Sequence, residues 1–560
     1  MLPPVRRLPT LPTEPWTWNR RSLSAMASPS STATIVSTLA ERARQHPDRH
    51  FVRFREADLT YAAFEARTRS LAAGLRRHRV AGLGAPDGVG ATTPDGASRI
   101  VPTLLPNCAD AAVLWFAANR AGAVWAPLNT EFRGPGLAHA INLTGSRDLV
   151  VDHSLVDAVH EVAGDLEDVE RLIVRGGPAP ASGCFATLAL DALDVGDDGV
   201  PPAPPPTGAA PSLLIYTSGT TGMSKACELS HRYVLGHARI MARSAGVRGD
   251  DVLFCPYPVF HWDATIGTIA PALWAGVTAV VTERFSVSRF WADVRRYGVT
   301  IFDFMGATLT FIHKQELRPD DADNPARLAW GVPMPAFKHD FEERFGLTLI
   351  EGYGSTEGGV MVWQDPGESY PTGSCGRVVP EFRLRIVDDD DRPLPSGGIG
   401  EIVVRPARDE DRHLLLTGYY RMRDLNREVF RGGWFHTGDL GRLDEDGNLY
   451  FEGRRKDAIR RRGENISAYE IEQVIEAHPA VLEAAAYGVP SEYTEEDVAV
   501  SVALRPGHDL SADELLDYCR GRMARYMVPL FVRFLDVLPK TPTEKVEKTT
   551  LRKWHMRALE

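Results

Sequence analysis

From Ile35 onward, stretches with apolar residues at helical spacing, Tyr61 to His78 and Ala111 to Ala121, alternate with short apolar runs, Phe51 to Phe54 and Leu149 to Val151. This alternation predicts strands and helices in turn, and hence a layered α/β body. Residues 80–100 are Gly- and Ala-rich with little periodicity and read as a loop. A Pro-rich linker, Pro201 to Pro211, leads into the apolar run Ser212 to Tyr216, which predicts a buried strand. Farther on, Phe382 to Val387 and Gly400 to Val404 read as strands flanking a solvated turn, Asp388 to Asp391.

Beyond Phe451 the pattern changes to a compact α+β unit of about a hundred residues, an ordinary domain size. Ser467 and Glu470 form a capping box that opens a helix with Ile471, Val474 and Ile475 on one face, and Pro479 stops it. Ser511 and Glu514 repeat the device ahead of Leu515, Leu516 and Cys519. The expected organisation is a disordered tail over 1–34, a large multi-subdomain body over 35–455, and a small C-terminal domain over 456–555, with the junction at Gly453 to Asp457.

With 63 Lys and Arg against 74 Asp and Glu, the net charge of -11 argues against a nucleic-acid partner, whose phosphates recruit basic surfaces. The ligand should be small. Six cysteines are scattered without a C-x-x-C pair or metal-ligand spacing, which predicts a reduced, cytoplasmic setting and no structural zinc. No apolar stretch reaches the length of about 18 residues needed for a membrane span. The first 25 residues are Pro- and Arg-rich and lack the apolar middle of a secretory signal.

Three motifs carry chemistry. In Tyr216-Thr217-Ser218-Gly219-Thr220-Thr221-Gly222-Met223-Ser224-Lys225, glycines let the backbone fold around an anion, hydroxyls and N–H groups donate to phosphate oxygens, and a lysine adds charge. The spacing is not that of a Walker loop. In Tyr353-Gly354-Ser355-Thr356-Glu357-Gly358, a lone carboxylate among small hydroxyl residues suits Mg²⁺, which keeps most of its sites for phosphate and water. In Gly433 to Asp439, followed by Phe451-Glu452-Gly453-Arg454, Asp439 can accept both hydroxyls of a ribose and Arg454 can donate to sugar or phosphate. Alone, each motif has a plainer reading: a flexible linker, a surface glutamate, a turn aspartate.

In this order and at these separations, the three blocks resemble the adenylate-forming superfamily of acyl-CoA synthetases, adenylation domains and firefly luciferase, from about Ile35 to Arg552. Arg462 to Ser467 and Thr541 to Val546 resemble its crotonobetaine/carnitine-CoA ligase-like branch. The resemblance implies a fold of two α/β sheets plus a β-rich part, with a mobile C-terminal lid hinged at Lys456. It implies Lys545 as the adenylation lysine, Thr356 as an α-phosphate contact, Thr217 and Glu357 beside the metal, and Asp439 and Arg454 at the ribose. Tyr353 and Gly354 with Gly331 to Pro333 would enclose the adenine. Ser218, Gly219, Thr220, Thr221, Gly222 and Lys225 would grip the phosphates, and Gly463 would lie on the thiol-transfer segment.

The implied substrates are a small carboxylic acid, ATP with Mg²⁺, and CoA; a homodimer is allowed for. The acyl pocket is placed at His261, Trp262 and Asp263 and at Phe304, Met305, Gly306 and Ala307, with Gly352 and Gly354 at its floor, where aromatic rings and one Asp suit an amino-bearing acid. In the plainer reading, Trp262 and Phe304 are core and Asp263 a helix cap. Departures from the family are Ser224 for proline, Ala226 for glycine, Glu544 for glycine and Ser467 for proline. Two other functions stay open: a non-CoA adenylating enzyme such as a diazotase using nitrite, and a weakened nucleotide-binding protein.

Overall fold

The computed structural model describes residues 32–82, 98–177, 183–196, 203–217, 224–455 and 459–559, the last with breaks at 462–463, 467, 492–495, 521, 524, 526 and 542–543. The expected tail through residue 31, most of the 80–100 loop and Ser467 thus lie outside the described residues. The last expected tail residues belong to the fold. Thr34 caps the helix Ile35–Gln45, its hydroxyl accepting from the Ser37 N–H at 3.1 Å.

Two large sheets form the body. The eight-stranded one is parallel through Ile100–Leu104, Val124–Pro127, Asp148–Asp152, Arg171–Arg175 and Ala186–Ala189, and carries the antiparallel hairpin Pro211–Thr217 and Lys225–Ser230. The short strand Gly418–Tyr419 extends it beside that hairpin. The thirteen-stranded sheet is parallel through Thr278–Val281, Val252–Cys255, Ile301–Met305, Leu328–Val332 and Thr348–Ser355. It then turns antiparallel through Gly359–Trp363, Gly376–Val378, Asn448–Arg454, Phe435–Leu443, Gly400–Pro406 and Phe382–Val387. The β-rich part is therefore continuous with one of the α/β sheets.

The parallel strands are covered on both faces, so all of Ile301–Met305 is buried and the apolar runs show no alternation. The helices Ala109–Ala121 and His231–Ser244 supply much of the main core, in which Trp115, Tyr233, Trp262, Trp330 and Trp363 share one cluster. The acidic turn at Asp388 to Asp391 is not wholly solvated. Asp391 pairs with Arg431 at 3.0 Å, and Glu401 beside it meets Arg431, Arg455 and His436.

The C-terminal unit contains the sheet Val481–Pro490, Glu496–Leu504 and Phe531–Phe534 with the helices Ala468–Glu476 and Ala512–Arg520. The second capping box is present: the Ser511 N–H donates to Glu514 Oε2 at 2.9 Å, and the Glu514 N–H donates to Ser511 Oγ at 3.3 Å. The unit rests on the body through Phe451 and Tyr469, whose ring centroids lie 5.8 Å apart, and through Lys314, which donates to the Leu482 carbonyl at 3.3 Å. No helix among the described residues is long and apolar enough to cross a membrane.

Gly74, in the helix Tyr61–Arg77, lies against the Leu190–Leu193 turn so closely that a Cβ there would sit 1.9 Å from the Leu193 carbonyl oxygen. Glycine to alanine inside a helix ordinarily stabilises by roughly 1 kcal/mol. Here the backbone has to shift, and overpacking on the order of 1–3 kcal/mol reverses the sign. Gly74→Ala is expected to lower the calorimetric unfolding midpoint at fixed scan rate; a rise would contradict this packing.

Candidate functional site

The antiparallel register of Phe435–Leu443 with Asn448–Arg454 sets Asp439 opposite Arg454. Arg454 Nε stands 3.4 Å from Asp439 Oδ1, and the Tyr353 hydroxyl donates to Oδ2 at 2.8 Å. Two sequence motifs separated by 86 positions thus meet on one carboxylate. Burial, the strongest influence, raises the Asp439 carboxyl above its ordinary range, and Arg454 and Tyr353 oppose that.

On the phosphate side, Thr217 and Lys225 face each other across the hairpin, while Ser218, Gly219, Thr220, Thr221 and Gly222 lie outside the described residues. Lys225 Nζ sits 4.9 Å over the Tyr419 ring, and the Tyr419 hydroxyl donates to Glu357 Oε1 at 2.8 Å. The buried Cys227 thiol interacts with the side chains of both Thr217 and Glu357, and burial pushes it well above its ordinary pKa. Thr217, Lys225 and Glu357 are therefore gathered at one place. One carboxylate and one hydroxyl form a donor set that fits Mg²⁺. The Thr356 carbonyl accepts from the Tyr233 hydroxyl at 2.8 Å, and that hydroxyl accepts from Trp262 Nε1 at 3.1 Å. Tyr419, Cys227 and Tyr233 carry no sequence motif of their own, and nothing local marks them as belonging to the site.

Along the next wall, Trp262–Ala264 forms one helical turn, followed by a π-helical turn over Thr265–Ile269. Asp263 lies in that first turn, and the cap position is His261, which makes no side-chain cap bond. A Cβ on Gly267 would come within 3.1 Å of both the Trp262 and Trp330 rings, so glycine is what lets these indoles close around the turn. His261 Nε2 is buried without a hydrogen-bond partner, and burial first, then Lys545, pushes the imidazole down to about 3.

Phe304 requires correction as a pocket residue. Its ring packs with Phe302, Leu309 and Phe341, whereas Ile301 and Met305 share the cluster of Trp262 and Trp330 on the other face. Gly306 sits where a Cβ would lie 2.7 Å from the Pro333 carbonyl oxygen, and Gly331 where it would lie 1.8 Å from that of Phe304. Gly352 backs onto the Trp363 ring, 2.9 Å from a built Cβ, and Gly354 onto the Gly359 carbonyl oxygen at 2.2 Å.

Lys545 comes from the C-terminal unit. Its side chain is solvent-accessible, yet the walls around it and the nearby Arg454 lower its pKa, while Asp263 and Asp439 pull the other way. Glu544 adopts a left-handed φ of 62° at a position where the resemblance led us to expect glycine. Lys456 and Gly463 lie outside the described residues.

The AMP-binding enzyme family pattern matches residues 39–420, and that of the AMP-binding enzyme C-terminal domain matches 470–545. A sulfoacetate–CoA ligase of Cupriavidus necator is 30% identical over 541 residues, 94% of this chain and 99% of that one. A crotonobetaine/carnitine–CoA ligase of Salmonella paratyphi A is 31% identical over 454 residues, 80% of this chain and 87% of that one. Among solved structures, ATP-bound MatB from Rhodopseudomonas palustris is 25% identical with a TM-score of 0.79, over 94% of this chain and 100% of that one. The anthranilate CoA ligase AuaEII, 23% identical with a TM-score of 0.83 over 96% of this chain and 99% of that one, shares the fold.

Because Asp439 titrates above its unfolded value, ionising it in the fold costs stability at neutral pH; that cost shrinks as pH falls below the folded pKa and is gone below the unfolded value. Tyr353→Phe removes a donor to the ionised form. The expected loss is about 1–3 kcal/mol in urea unfolding at neutral pH, shrinking as pH drops below the folded value. A pH-independent loss would mean the bond does not serve the ionised carboxylate.

Proposed function

The chain belongs to the AMP-binding enzyme family, as an AMP-forming acid–thiol ligase, and we propose that it joins a small carboxylic acid to CoA in two half-reactions on one site. What supports this reading is that Lys545, a cation from the C-terminal unit, feels Arg454, Asp263 and Asp439 electrostatically, and that Arg454 pairs with Asp439 beside it.

In the first half-reaction, a carboxylate oxygen forms a bond to the α-phosphorus of ATP and pyrophosphate leaves, giving an acyl-adenylate. The two reactants repel, so the protein's work is positioning and screening. Asp439 would accept both ribose hydroxyls, with Arg454 donating beside it. Because the Tyr353 hydroxyl is bonded to Asp439, the ring that stacks on adenine and the carboxylate that grips ribose are set by one contact. Gly331 to Pro333 would form the opposite wall. Lys225, with Ser218, Gly219, Thr220, Thr221 and Gly222, would hold the outer phosphates, and Thr356 the α-phosphate. Thr217 and Glu357 would hold Mg²⁺, which supplies charge neutralisation on the phosphates when bound.

In the second half-reaction, the CoA thiol attacks the acyl carbonyl and AMP leaves. The C-terminal domain, 456–555, would swing about Lys456, withdrawing Lys545 and presenting the segment at Gly463. A homodimer is compatible with this reading, since each chain completes its own site with its own Lys545.

Lys545→Ala is expected to slow adenylation roughly a hundred- to a thousandfold, the scale for losing one aligned donor to developing charge. Thioester formation from supplied acyl-adenylate should survive; equal loss in both steps would refute the two-conformation scheme. Lys456→Pro should do the reverse, sparing pyrophosphate release while slowing transfer to CoA. Pyrophosphate release across an acid panel, with and without CoA, tests the reaction itself. Turnover that needs nitrite and ignores CoA would replace the ligase reading.

A further inference from the structure

Lys545 stands on a tight chain reversal. The Glu544 N–H donates to the Thr541 carbonyl at 2.9 Å, the Thr541 N–H donates to the Lys545 carbonyl at 2.7 Å, and the Lys545 N–H donates to the Thr541 hydroxyl at 3.2 Å. Behind it, Lys540 and Val546 pair as an antiparallel bridge. Reversals this short commonly place one residue in the left-handed region, and here that residue is Glu544, at φ 62°. Glycine takes this conformation freely; a residue with a Cβ keeps it only where its surroundings hold it there.

Lys540 supplies that hold. Its ammonium donates to the Glu544 carbonyl at 3.4 Å and pairs closely with Glu483 on the strand Val481–Pro490. Both side chains of the pair are mostly buried, and a charge-assisted bond shielded from water fixes its partners more firmly than an exposed one. One cation thus ties the left-handed residue to the C-terminal sheet. The same ammonium lies 6.0 Å from the centroid of the Phe311 ring, on the body helix Gly306–His313. Close by, Lys314 of the body bonds to the carbonyl of Leu482, the residue before Glu483. The anchor of the reversal therefore sits where the C-terminal unit meets the body.

We propose that Lys540 is a positioning residue for Lys545: together with Glu483 it holds Glu544 in its left-handed conformation, so that the reversal presents the Lys545 ammonium to the cleft. This rests on the ligase reading above. The hold matters in adenylation, where Lys545 is used, and has no part in thiol transfer, from which Lys545 is withdrawn. A displacement of the reacting groups by about 1 Å is enough to cost on the order of a hundredfold in rate.

The test is a double-mutant cycle on the full-length enzyme, read on two half-reactions: pyrophosphate release from ATP, Mg²⁺ and an acid, and thioester formation from CoA and supplied acyl-adenylate. Lys540→Met is expected to lower the kcat for pyrophosphate release roughly tenfold or more while the KM for ATP stays within about threefold. Thioester formation should be unaffected, and Lys540→Arg, which keeps the cation, should recover most of the loss. In a Glu544→Gly background the same Lys540→Met change should cost less than about threefold, because glycine holds the left-handed conformation unaided. Melting curves report whether Lys540→Met folds; if it does not, Glu483→Gln, which loosens the anchor and keeps the ammonium, is read in the same way. Undiminished pyrophosphate release, equal loss in both half-reactions, or the same cost in the Glu544→Gly background would overturn this inference and leave the ligase reading standing. Absence of pyrophosphate release by the unaltered enzyme with every acid would overturn the ligase reading and this inference with it.

Discussion

The strand Thr348–Ser355 is hydrogen-bonded in parallel to Leu328–Val332 on one side and antiparallel to Gly359–Trp363 on the other. The parallel half of the larger sheet and its antiparallel half meet at this strand, and the site's groups are placed by it. Glu351 receives the Met334 N–H at 3.1 Å, while the Glu351 N–H donates to the Gln364 side chain at 3.1 Å. Tyr353 reaches Asp439 in the antiparallel half, and Glu357, just beyond the strand, reaches Tyr419 of the other sheet. A slip of one residue would turn Tyr353 to the opposite face and break that connection.

Charges of opposite sign are interleaved across the site. Lys225 is near Glu357 through Tyr419, and Arg454 pairs with Asp439. Lys545 and Arg454 repel each other, and Asp263 and Asp439 offset that repulsion. In the proposed reading, an anionic nucleotide and a carboxylate would enter between these cations and relieve the repulsion further. On the same reading, substrate binding and the seating of the C-terminal unit would be coupled through charge.

Much of this was legible in the sequence, because glycine, hydroxyl and charged residues stand out against apolar runs. The motifs at Thr217, Glu357, Asp439 and Arg454 are of that kind, and so is the capping box at Ser511. What was not legible is which way a fully buried strand faces. In Ile301–Met305 every residue is buried, so no alternation marks the parity, and nothing in the sequence shows that Phe304 packs away from the face of Trp262. Likewise Tyr419 and Cys227 carry no local signature, since the strand Gly418–Tyr419 joins the hairpin from a distant part of the chain. The continuity of the β-rich part with the α/β sheet was hidden for the same reason: backbone pairing between distant segments leaves no mark on composition.

That edge strand also dictates an order of events during synthesis. Lys225–Ser230 is hydrogen-bonded on its outer side by Gly418–Tyr419, so until residue 419 has left the ribosome the hairpin bearing Thr217 and Lys225 presents an open strand edge. Near one end of the larger sheet, His50–Arg53 waits for Thr278–Val281. Both closures bring together segments separated by most of a domain, the kind of pairing that forms slowly and leaves nascent chains prone to aggregation. Open edges of this kind are where elongation rate and chaperone supply bear on the folding of a nascent chain.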